Sequence, residues 1–173
     1  MRRRIVTGII IIICFLLQTT VFQSLTFANI APNLLMIVVS SFGFMRGRKS
    51  GMFVGFICGL LVDIFCGFYL GIYALIYMYV GFINGIFQKK FYPDDIKLPM
   101  LLIGSSDIAA NLVVYFVMFL FRRRFDFLYY LKSIILPEFV YTMVITIFLY
   151  IILLKINQKL EASEKRRAKK FEL

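Results

Sequence analysis

Long apolar runs separated by short basic or proline-containing breaks constrain this chain more than any other feature. The first extends from Ile5 to about Phe27, and others of comparable character follow to Leu154. A helix needs about 20 predominantly apolar residues to cross a hydrocarbon core, and inside lipid the backbone must satisfy its own hydrogen bonds. Hydrophobic residues make up 61% of the 173 positions, which leaves no stretch for a soluble domain. The pattern predicts an all-α, polytopic integral membrane protein with six transmembrane helices. They cover about 5–27, 32–45, 51–65, 69–87, 98–121 and 134–154. Residues 1–156 then form the membrane domain and 157–173 a basic cytoplasmic tail. Thr26 and Ala28 offer a weak signal-cleavage site. The chain returns to the membrane at once with nothing to export, so the first helix is read as uncleaved.

The net charge of +11 raises the question of nucleic acid. The positions of the basic residues answer it. With both termini in the cytoplasm, sixteen Lys and Arg fall inside, in the N-terminus, the two inner loops and the tail. Four fall outside: Arg122, Arg123, Arg124 and Lys132. This is the positive-inside pattern, so the charge sets topology and no nucleic-acid partner is expected. The tail can also touch anionic lipid of the bilayer.

Between Arg46 and Gly71, glycine recurs every fourth residue: Gly47, Gly51, Gly55 and Gly59, then Gly67 and Gly71, with Asp63 on the skipped beat. Steps of four keep to one helix face. Each interior glycine costs roughly 1 kcal/mol of helix propensity, and in a bilayer small residues at this spacing let another helix approach closely. These glycines are read as a packing face. The stripe Tyr73, Tyr77, Gly81 and Gly85 on the next helix would suit that groove.

Carboxylates in spans are costly and default to functional hypotheses. Asp63 and Glu138 are expected near the outer face together with Asn33, Gln18 and Gln23, and Asp107 near mid-depth. Arg122 and its neighbours are candidates to pair with Asp63 or Glu138. Three uses stay open for this outer-leaflet polar cluster: a structural network, a partner-docking face, or a ligand pocket. Histidine is absent, and Cys14, Cys58 and Cys66 match no metal spacing. No nucleophile has an evident base and no phosphate loop occurs, so no enzyme, metal or cofactor is expected.

The order Pro32-Asn33-Leu34, Arg46-Gly47, Gly51, Gly55, Gly59-Leu60-Leu61-x-Asp63, Gly67 and Gly71 resembles the MreD family of rod shape-determining membrane proteins. The motifs lie within about residues 30–90; elsewhere the likeness is one of hydropathy. The resemblance implies a non-enzymatic part of the bacterial peptidoglycan elongation machinery, in the cytoplasmic membrane. It implies an MreC-like partner and, through it, the MreB filament, RodA and a class B penicillin-binding protein. A second resemblance, to the six-helix S components of energy-coupling-factor transporters, implies instead a vitamin- or metal-capturing subunit. The absence of histidine weakens its metal version.

Overall fold

The computed structural model describes residues 2–22, 31–65, 71–90, 96–122 and 130–171. Among these residues the protein is helical, with no strand. The six helices are α1 (Arg2–Leu16), α2 (Leu34–Arg46), α3 (Arg48–Phe65), α4 (Ile72–Ile86), α5 (Lys97–Arg122) and α6 (Leu136–Phe171). A π turn, Leu17–Val21, prolongs α1, a 3-10 turn, Phe87–Lys90, prolongs α4, and a π turn, Leu131–Ile135, leads into α6.

Helix α2 is the hub. Every residue from Leu34 to Met45 is buried, and the helix meets α1, α3, α4, α5 and α6. A helix that is apolar on all sides belongs inside a bundle. Its 13 residues rise only about 20 Å, against a hydrocarbon thickness of about 30 Å. Its N-terminal end therefore lies within the protein, while its C-terminal end runs into the exposed Arg48 and Lys49. Three stretches of the described residues are long and apolar enough to cross a membrane: Arg3–Val21, Lys97–Val117 and Leu131–Glu164. Helices α3 and α4 fall short because of Arg48, Lys49 and Asp63 in the first and a length of 15 residues in the second.

The most extensive interface joins α3 to α4, and glycine makes it. A Cβ at Gly51 would overlap the carbonyl of Gly81, one at Gly55 the carbonyl of Tyr77, and one at Gly59 the backbone of Tyr73 and Ala74. Each step of four along α3 meets a step of four back along α4, the register of an antiparallel pair. The Tyr73–Tyr77–Gly81–Gly85 face lies in this groove, with Gly85 against Arg48. Gly43 of α2 joins the same contact, since its Cβ would stand 2.7 Å from the Gly81 carbonyl oxygen. Backbones of three helices thus converge where any side chain would hold them apart.

Two members of the glycine row have a different use. Gly47 breaks the chain between α2 and α3 at φ +87°, and Gly71 precedes α4 at φ +103°. Both lie in the left-handed region open to glycine. Nothing lies within 4 Å of the place a Cβ would take at Gly71, so it is a turn residue and not a packing one. Gly67 lies outside the described residues.

The apolar belt is what lipid contact requires. Ile5, Ile12, Phe53, Phe56, Leu101, Phe116, Val140 and Phe148 are all exposed large hydrophobics. A soluble monomer rarely shows so broad an apolar surface. Helix α6 does not stop at Leu154. It runs on for 36 residues in total, carrying the start of the charged tail as a continuous helix.

Candidate functional site: polar caps at the two ends of the central helix

A helix leaves its first N–H groups without partners, and a buried helix end must find them elsewhere. At the N-terminal end of α2 the partners come from two other segments and from the helix's own N-cap. The Asn33 N–H donates to Thr142 Oγ1 of α6 at 3.1 Å. The Leu35 N–H donates to Gln18 Oε1, in the turn that prolongs α1, at 3.1 Å. The Met36 N–H donates to Asn33 Oδ1 at 3.1 Å, the usual work of an asparagine N-cap. Tyr77 of α4 donates its hydroxyl to the same Asn33 oxygen at 2.9 Å. Asn33 is therefore the knot joining α2, α4 and α6.

Beside it lie the two remaining intramembrane carboxyls. Asp107 is fully buried, and among the described residues it faces the Asn33 side chain, with no hydrogen bond of good geometry to either oxygen. Glu138 adjoins Asp107 and Asn111. The structure thus brings together Asn33, Asp107 and Glu138, with Tyr77 and Thr142 completing the group. Lower on the same side, Asn84 donates from Nδ2 to Ser106 Oγ at 2.9 Å and ties α4 to α5.

Asp63 stands apart from this cluster. Only 2% exposed, it accepts three backbone N–H groups at the start of α4. Gly71 and Ala74 donate to Oδ2 at 3.0 and 2.9 Å, and Tyr73 donates to Oδ1 at 3.0 Å. A carboxylate at a helix N-terminus meets both free donors and the positive end of the helix dipole. Among the described residues the partners of Asp63 are therefore backbone amides. The amides of Gly71, Tyr73 and Ala74 at the start of α4 need an acceptor, and Asp63 supplies one within the α3–α4 hairpin. The side chain of Arg122 lies outside the described residues, as do Arg123 and Arg124.

The other pole of α2 is held by Arg46. Its Nε donates to Asn157 Oδ1 of α6 at 2.8 Å and its Nη1 to Thr7 Oγ1 of α1 at 2.6 Å. The guanidinium lies 4.1 Å from the Phe42 ring centroid, a cation–π distance. Arg3 of α1 pairs with Glu164 at 3.2 Å and lies 4.0 Å from Glu161. Sequence reasoning counted Arg46 as a topology charge and missed this tie. Its position as the last residue of an otherwise apolar helix was the available signal. No group of three or more metal-ligating side chains occurs among the described residues.

These features define a class: a small all-helical membrane protein whose buried polar groups mostly serve the seating of one short central helix. Comparison with known families refines it. The description "rod shape-determining protein MreD" matches residues 1–160, and the chain belongs to that family. No curated protein and no solved structure matched the chain. The similarity to energy-coupling-factor S components is not among these findings.

Proposed function

We propose that this protein is a non-enzymatic scaffold of the cell-elongation machinery, embedded in the bacterial cytoplasmic membrane and acting by binding an MreC-like partner. The observation that carries this reading is the family match over residues 1–160. The MreB filament, RodA and a class B penicillin-binding protein are reached through that partner. Six spans with both termini in the cytoplasm complete the proposal, supported by the sixteen-to-four distribution of basic residues. In this arrangement the short α2 crosses inside the bundle, where a capped N-terminal end removes the need to reach water at that pole. Asn33, Glu138 and Arg122 then belong to the outer side, as a polar cluster available to support the partner's docking. Depletion in a rod-shaped cell should give round cells, and gentle purification should bring an MreC-like protein with it. Normal shape on depletion, together with a stoichiometric vitamin in the purified protein, would refute the proposal in favour of a transporter subunit.

A further inference from the structure

We propose that the groove between α1 and α3, at the Arg46 end of the bundle, binds an anionic glycerophospholipid. The groove encloses about 760 Å³. Four cationic side chains line its mouth, Arg3, Arg4, Arg46 and Lys49, against one carboxylate, Glu164. That carboxylate is already paired with Arg3. Arg46 spends two donors on neutral oxygens of Asn157 and Thr7, and its buried Nη2 makes no hydrogen bond. Arg4 and Lys49 are exposed. With Glu161 4.0 Å from Arg3, four cations stand against two carboxylates among the described residues, a net positive charge that suits a phosphodiester.

Below the mouth the walls are apolar. The lining descends from Lys49 to Leu61 along α3, about 18 Å at the helical rise, close to the depth of one leaflet. Ile12 on one wall and Phe53 on the other are 55% and 64% exposed, so the groove is open to its side, as entry of an acyl chain from the bilayer requires. Gly8 widens it: nothing lies within 4 Å of where its Cβ would be. Charge at the head and grease along the length fit a lipid better than a soluble anion, which would leave the walls bare. They fit it better than a partner's apolar helix, which would offer no counter-charge to the net positive mouth. Basic recesses between membrane helices are a known means of selecting anionic head groups.

The test is native mass spectrometry of the full chain in mild detergent, titrated with dioleoylphosphatidylglycerol or dioleoylphosphatidylcholine. One phosphatidylglycerol should bind roughly tenfold more tightly than phosphatidylcholine. Gly8→Leu, which narrows the groove at a point where a Cβ meets no described atom, should sharply weaken the adduct. Arg4→Gln with Lys49→Gln should bring phosphatidylglycerol down to phosphatidylcholine. Lys155→Gln with Lys159→Gln, an equal charge loss on α6 outside the groove, should change little. Equal binding of the two lipids, undiminished binding by Gly8→Leu, or an equal loss in the α6 double variant would overturn the proposal. So would a polypeptide, rather than lipid, captured by a photo-crosslinker placed at Ile12. The leaflet supplying the lipid rests on the sidedness proposed above. The detergent assay does not read sidedness, whereas thiol labelling at Ser163 does, so the two ideas fail separately.

Discussion

Removing the carboxylate of Asp63 should unseat the start of α4, and the size of the effect follows from its three bonds. Both oxygens are used, one for Tyr73 and one shared by Gly71 and Ala74. Asp63→Asn keeps one acceptor. Turned so that its oxygen serves Gly71 and Ala74, it presents an NH₂ group to the Tyr73 N–H, leaving one buried donor unmet at about 1–3 kcal/mol. Loss of the charge beside the helix terminus adds about 0.5–2 kcal/mol. The asparagine variant should thus lose roughly 1.5–5 kcal/mol. Asp63→Leu leaves all three donors unmet, and its cost of roughly 5 kcal/mol or more approaches the whole stability of a typical domain. The assay is the melting temperature in detergent by fluorescence-detected size exclusion, with amide exchange at Gly71, Tyr73 and Ala74 as the local readout. Asparagine should lower the melting temperature by about 5–15 °C and speed exchange at those amides. Leucine should fail to accumulate as a monodisperse species. If both variants melted within about 2 °C of the parent with unchanged exchange, the cap would not be holding α4 and the reasoning would be refuted.

Gly55→Leu should damage the protein far more than Ile57→Leu. Its side chain would run into the carbonyl of Tyr77, and overpacking costs about 1–3 kcal/mol even where neighbours can move; equal accumulation and equal function of the two variants would count against a packing role for the glycine row. In a cysteine-free background, a cysteine at Asp126 should react with an impermeant thiol reagent applied to spheroplasts and one at Ser163 should not, whereas labelling at Ser163 from outside would reverse the proposed sidedness.

Periodicity made some of this structure readable and hid the rest. The spacing of Gly51, Gly55 and Gly59 exposed a close-packing face, because a four-residue repeat and a helix nearly coincide, and the Tyr-Gly stripe of α4 matched it. The same arithmetic could not separate helix glycines from turn glycines. Gly71 keeps the beat but has a positive φ and touches nothing where a side chain would be. Gly43 also keeps the beat and packs tightly, yet it was passed over because it lies beyond the break at Gly47. The burial of α2 was only half visible: an apolar run reads alike whether it faces lipid or protein. The four-residue spacing of Glu161 and Lys165 suits a helical pair in the tail, and α6 does run on through it, but nothing local shows that the helix is unbroken from the span. The link from Arg46 to Asn157 spans 111 residues of sequence, and no local pattern carries a contact of that kind.

Counting backbone partners also changes which polar residues remain to be explained by function. A short central helix with a buried N-terminal end forces polar groups into the bundle, whatever the protein does. Asn33, Gln18 and Thr142 meet that demand at one end of α2, and Asp63 meets the matching demand at α4. Arg46, Thr7 and Asn157 bind the other end of α2 to its neighbours. A charged or amide side chain with such a task needs no ligand or partner to account for its presence. Asp107 is different. Among the described residues it is fully buried, caps no helix, and faces the Asn33 side chain without a hydrogen bond of good geometry to either oxygen. A buried polar group left in that condition costs stability that an apolar residue of the same shape would not. Among the carboxyls placed in spans, Asp63 is thus accounted for by the fold. Asp107, with Glu138 beside it, is not.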